Sequence, residues 1–169
     1  MTPQERGPAD ALRLPQGDVG LLETEVAQRL LASRELARIA YVAHDGTPRV
    51  LPMLFHWTGE ELVLPTFAPS AKVTALRAKP DLAVTIDTTA APPEVLLLRG
   101  RAELTEVDGV LEEYVLAQRR YYGAEQAEAA TADARRMGAR MVRIALRPAW
   151  VGVIDFQTRL PAPLSKALA

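Results

Sequence analysis

Apolar residues recur at helical spacing from Leu22 through Val26 to Leu30, with Ala27 and Leu31 beside them, which predicts a first helix ending about Ser33. The pattern then changes. Leu36 to Ala43 reads as a strand, His44-Asp45-Gly46-Thr47 as a turn, and Arg49 to Trp57 as the second arm of a hairpin. Thr58-Gly59-Glu60 turns the chain into Leu62 to Thr66, so three consecutive antiparallel strands are predicted. A short helix opens at Ser70, and strands follow at Leu82 to Asp87 and, past Ala-Ala-Pro-Pro, at Val95 to Leu104. Asp108 is placed to cap a helix in which Val110, Tyr114, Ala117 and Tyr121 share one stripe, and Glu125 to Met137 reads as a further helix. Met141 to Leu146 and Trp150 to Ile154, with Pro148 between them, close the series as strand segments.

Val95-Leu96-Leu97-Leu98 is apolar without alternation, so both faces of that strand should be covered, one by a barrel interior and one by a helix or a second subunit. The expected fold is mainly β: an antiparallel sheet of about six strands with inserted α-helices, closed into a barrel to remove its edges. Residues 1–18 are rich in Pro, Gly and charge and read as an N-terminal arm, mobile or draped on another surface. Residues 19–157 form the domain and residues 158–169 a C-terminal tail.

Composition narrows the chemistry. With 169 residues, 49% of them hydrophobic, one domain can bury a full core. The absence of cysteine removes disulfides, thiolate metal sites and cysteine nucleophiles, and suits a cytoplasmic protein. A net charge of −1 gives no basic field for nucleic acid, and no stretch is apolar and long enough for a membrane span or signal. Three serines (Ser33, Ser70, Ser165) and two histidines (His44, His56) build no convincing hydrolase triad, and no metal site is expected. No glycine-rich dinucleotide fingerprint and no P-loop is present.

The sharpest polar feature is the start of the Ser70 helix. Lys72 lies in the first turn, against the helix dipole, where a bound anion would compensate it. Ser70 can cap, and free amides behind it complete a phosphate cradle; the same pair also fits a capped surface helix with a solvated lysine. Pro52 interrupts its strand's donors, so that strand must be open, bulged or at an edge there, which leaves room for a flat ligand. Arg49 begins this strand and Thr66 ends the next one, so both are expected to converge with the helix start at one end of the sheet.

Over Leu36 to Leu104 this arrangement resembles the flavin-binding split-barrel family that includes pyridoxamine 5′-phosphate oxidase. The matching residues are Arg49-Val50-Leu51-Pro52-Met53, Pro65-Thr66 and Ser70-Ala71-Lys72, followed by ALRAKPDLAVTID and Gly100-Arg101-Ala102-Glu103. The resemblance implies a homodimeric split barrel with FMN at the subunit interface. Residues 49–53 would flank the isoalloxazine and ribityl chain, and Arg49, Thr66, Ser70 and Lys72 would hold the phosphate. Two departures stand out: Ala71 replaces a basic residue common in the oxidase's cradle, and the glutamine expected near Val95 is not evident. The oxidase's substrate residues are not found in RLPAPLSKALA, which disfavours pyridoxamine phosphate as substrate.

The function implied is a flavin-dependent oxidoreductase acting on a small molecule, with no side-chain acid or base assigned. Substrate would enter near Met53, Phe55 and a partner residue such as Trp150, each of which also fits core or interface packing. An 8-hydroxy-5-deazaflavin coenzyme in the same groove, a non-catalytic flavin- or haem-binding protein, and an empty barrel kept for interaction are the alternatives.

Overall fold

The computed structural model describes residues 11, 13–161 and 163–164. Eight strands form one curled antiparallel sheet: β1 (Ala37–Val42), β2 (Pro48–Met53), β3 (His56–Trp57), β4 (Leu62–Phe67), β5 (Asp81–Asp87), β6 (Val95–Asp108), β7 (Arg140–Leu146) and β8 (Trp150–Ile154). It is accompanied by the helices α1 (Glu25–Ala32), α2 (Ala71–Ala78), α3 (Glu112–Tyr122) and α4 (Ala124–Arg136). The strand order is β2-β1-β5-β6-β7-β4-β3, with β8 beside β6. Only Leu54 and Phe55 separate β2 from β3, so the two ends of that order are neighbours in the chain and the sheet curls back on itself.

The expected single strand from Arg49 to Trp57 is therefore two. Its first half pairs with β1, with Ala37 opposite Met53 and Val42 opposite Pro48; its second half pairs with β4, with His56 opposite Val63. The predicted three-stranded run is corrected accordingly, because β2 pairs with β1 alone and β4 with β3 and β7. This parting of β2 from β4 is the split in the barrel, and together with β8 it accounts for the strand count above six.

The 14-residue β6 holds the two halves together. Residues 95–101 pair with β5, residues 95–99 also with β8 on the other side, and residues 102–108 pair with β7. At the changeover a Cβ on Gly100 would stand 2.9 Å from the Arg147 carbonyl oxygen, so β6 can pass this backbone only as glycine. Leu96 and Leu98 are fully buried, while Val95 and Leu97 on the opposite face are half-buried. Only one face of this apolar run is thus sealed by the core.

Thr24 caps α1 by accepting from the Ala27 amide at 3.3 Å, and Val26, Ala27, Leu30 and Leu31 bury its inner stripe. The helix starts later than its periodicity suggested, since Asp18 caps a separate 3-10 turn over Val19–Glu23. Asp108 ends β6 rather than capping α3, whose N-cap is Leu111. Gly123, at a φ of 92°, ends α3 and opens α4 in a conformation that other residues rarely adopt.

Residues 1–10 of the expected arm lie outside the described residues, but its last part is docked. The Gln16 side chain acts as a strand edge, donating to the Val153 carbonyl at 2.6 Å and accepting from the Val153 amide at 2.9 Å. The Gly17 amide adds a bond to the Val151 carbonyl at 2.8 Å. From the other end of the chain, Arg159 donates to the Leu14 carbonyl at 2.9 Å. No described helix is long and apolar enough to cross a membrane.

Candidate functional site

The split is built from two open strand edges and a helix start. β2 has β1 on one side and no strand on the other, which is where Pro52 can sit without costing a ladder bond. Along β2, Arg49, Leu51 and Met53 share the core-side face with Tyr41, Ile39 and Ala37, whereas Val50 and Pro52 face outward with Ala40 and Arg38. β4 loses its β3 partner after Val63, so Pro65 likewise sits where only β7 is paired. Pro65 and Thr66 are both buried.

From Thr66 the chain runs through Phe67, Ala68 and Pro69 to Ser70, the N-cap residue of α2. The Ser70 carbonyl accepts from the Val73 and Thr74 amides at 3.1 and 3.3 Å, but its hydroxyl makes no cap hydrogen bond, contrary to the sequence expectation. That Oγ is buried and has no partner at all. The amides of Ala71 and Lys72, first in the helix, have no intrahelical acceptor. Lys72 is half-buried without a carboxylate or hydrogen-bond partner among the described residues, and burial pushes its ammonium pKa down. A hydroxyl, two amides and a desolvated cation thus stand unpaired at one helix start, the donor set a phosphate would satisfy.

Arg49 is not brought to this cluster. Its guanidinium turns back to the β1–β2 turn, with an ion pair to Asp45 at 2.8 Å and bonds to Thr47 Oγ1 and the Pro48 carbonyl. Thr47 foremost, through its hydroxyl and amide, and Arg49 after it hold the Asp45 carboxyl at a pKa of about 2. Phe55, expected near substrate, is fully buried in the core. Met53 is half-buried on the core side.

Two concavities flank these elements. One of about 560 Å³ opens beside Ser70 on the β7 side of α2, where Arg77 and Arg140 both bond Glu106. The other, about 480 Å³, lies across the outer sheet between Ala40, Val42, Ala83 and Trp150, with the Arg99 guanidinium 4.0 Å above the Trp150 ring. Neither of these arginine clusters was singled out from sequence, where Arg101 stood only within the Gly100-Arg101-Ala102-Glu103 match.

His44 is exposed in the turn and His56 half-buried on β3. Among the described residues no group of three or more His, Cys, Asp or Glu side chains could hold a metal.

A curled antiparallel sheet split between β2 and β4, with helices inserted, defines the class of split-barrel domains. The chain belongs to the pyridoxamine 5′-phosphate oxidase family, whose profile matches residues 23–154. No curated protein matches it by sequence. Among solved structures, an F420 reductase is 28% identical, with 73% of this chain and 93% of that one covered at a TM-score of 0.57. A FAD-binding protein from Mesorhizobium loti is 20% identical over 76% and 89% of the two chains, with a TM-score of 0.51. A heme binding protein from Mycobacterium smegmatis is 20% identical over 80% and 55%, with a TM-score of 0.54. These last two likenesses establish the fold.

Proposed function

We propose that this protein is an oxidoreductase that binds FMN in the split between β2 and β4, with the phosphate on the first turn of α2. The observation that carries the reading is the pair of unpartnered groups there, the buried Ser70 Oγ and the desolvated Lys72 ammonium. The Ala71 and Lys72 amides and the α2 dipole add to the grip. Thr66 closes the floor, and the unpaired edge of β2 from Arg49 through Val50, Leu51 and Pro52 to Met53 lies along the ring and ribityl chain. When bound, the flavin supplies the hydride or electron transfer.

The site is completed by a second copy of the chain. The outward face of β2, β1, β5 and β6 carries Val50, 68% exposed, with Val42, Ala40, Ala83 and Leu97 beside the Arg38–Asp87 pair and Arg99, and its exposed apolar side chains are suited to burial against its own copy. Substrate is a small molecule that reaches the ring beside Met53 and the partner's sheet.

A second reading keeps the site and changes the coenzyme to an 8-hydroxy-5-deazaflavin. The 28% identity to an F420 reductase favours it. Titration of the purified protein with FMN, riboflavin and the deazaflavin coenzyme, followed by gel filtration, separates the readings. FMN should stay with the protein and riboflavin should bind at least about ten-fold more weakly, the scale of one lost charge-assisted phosphate contact. Equal affinity for riboflavin and FMN would remove the phosphate site.

A further inference from the structure

The strand that lines the proposed site is held along one side by β1 and has no strand on the other, so its position depends on what fixes its end. That end is the bend at Leu54–Phe55, where the chain changes partner from β1 to β4. One side chain grips the bend. Arg120, on α3, donates from Nη2 to the Phe55 carbonyl at 2.5 Å and from Nη1 to the Leu31 carbonyl at 3.1 Å. Its guanidinium also lies 4.3 Å from the Phe55 ring centroid and 4.9 Å from that of Tyr121.

The chemistry is unusual for an arginine in a protein this rich in ion pairs. Among the described residues Arg120 forms no ion pair with a carboxylate, and its Nε is buried without a partner. A cation so placed is compensated by backbone dipoles: Leu31 lies in the last turn of α1, at the negative end of the helix dipole, and the Phe55 carbonyl supplies the second acceptor. The fork geometry matters, because only a planar guanidinium can reach two carbonyls on different elements while stacking on a ring. Next to it Tyr121 donates to the Glu35 carbonyl at 2.7 Å, so α3 also holds the loop that leads into β1.

We infer that Arg120 is a positioning residue for the cofactor: by clamping the Phe55 carbonyl to α1 and α3 it sets where the open edge of β2 lies, and hence the width of the split. This rests on the proposed flavin site, but the clamp is measurable without a cofactor.

The experiment compares wild type with Arg120→Met, Arg120→Lys and Leu111→Ala, reading amide hydrogen exchange over residues 51–57, FMN affinity and thermal stability. In Arg120→Met, exchange over 51–57 should rise at least ten-fold relative to β5 and FMN affinity should fall at least ten-fold. Leu111→Ala, which cuts into the separate apolar cluster with Ala134 and Met141 and leaves the Arg120 clamp in place, should lose stability yet keep FMN affinity within two-fold. Arg120→Lys secures the result if the methionine variant does not fold, and should show the same two changes at smaller size, three-fold or more. Unchanged exchange at the bend, or an affinity loss no greater than that of Leu111→Ala, overturns the inference. Absence of any flavin or deazaflavin binding by wild type overturns the functional reading instead, and the exchange comparison still decides whether Arg120 fixes the bend.

Discussion

Ser70 and Lys72 stand two residues apart at the start of α2, and neither side chain has a partner: the Ser70 hydroxyl is buried unbonded and the Lys72 ammonium is desolvated without an anion. Burial lowers the Lys72 pKa in the folded protein, so the unfolded chain holds that proton more tightly. Below the folded-state pKa both forms are charged and the fold carries the full cost, which fades only as pH rises toward the ordinary lysine value of 10.5. At neutral pH, Lys72→Met should therefore raise the melting temperature of the cofactor-free protein. The same change should weaken FMN binding by about 1–3 kcal/mol. A variant that melts lower and binds FMN unchanged would show that the lysine serves the fold.

Arg49 must leave Asp45 before it can serve a phosphate. Their contact is exposed, with side chains 46% and 57% accessible, so breaking it should cost the fold little. Because the Asp45 carboxyl stays ionised down to about pH 2, the pair competes with a ligand throughout the physiological range. Asp45→Asn should raise FMN affinity by roughly two- to five-fold, the scale of one exposed ion pair, and Arg49→Ala should lower it. If fluorescence titration finds both variants at wild-type affinity, Arg49 belongs to the turn alone.

How far these sites could be read from sequence differs by element. Pro52 marked its own strand as open, bulged or at an edge, and the order of strands and helices followed from apolar spacing. What periodicity could not supply was pairing: Arg49 to Trp57 is one β-prone run, yet it changes partners at Phe55, and that bend is set by a side chain 65 residues away. Arg120 itself stands inside a helical stripe between Ala117 and Tyr121, where nothing local distinguishes it from a solvated arginine. Ser70 and Lys72 stood out in the sequence because they lie within one turn of each other. The direction of the Arg49 guanidinium was not, since it depends on competition with Asp45 and Thr47.

His56 gives the fold a pH dependence of its own. Burial foremost, then Arg120, lowers its pKa, with Glu113 and Glu112 opposing and Arg143 adding to the decrease. As pH falls below 6.5 the unfolded chain takes up the proton first, so stability drops until the folded-state pKa is passed. His56→Gln should flatten the melting temperature between pH 7 and pH 5. A slope in the variant equal to wild type would assign that dependence to other groups.

The outward sheet face decides whether the site is a monomer's or a dimer's. Val50 lies next to the cofactor strand's Leu51 but points the other way, opposite Ala40, and is 68% exposed in the single chain. A carboxylate there would have to be desolvated against apolar neighbours from a second copy, a cost of several kcal/mol that the exposed monomer does not incur. Val50→Glu should leave the monomer folded, weaken self-association at least about ten-fold by sedimentation, and lower FMN affinity in the same concentration range in which the dimer is lost. Were the wild-type protein monomeric at concentrations where it binds FMN fully, the second copy would have no part in the site. Were Val50→Glu to dissociate without losing FMN, the β2 edge and α2 would suffice alone, because every group assigned to the phosphate comes from one chain.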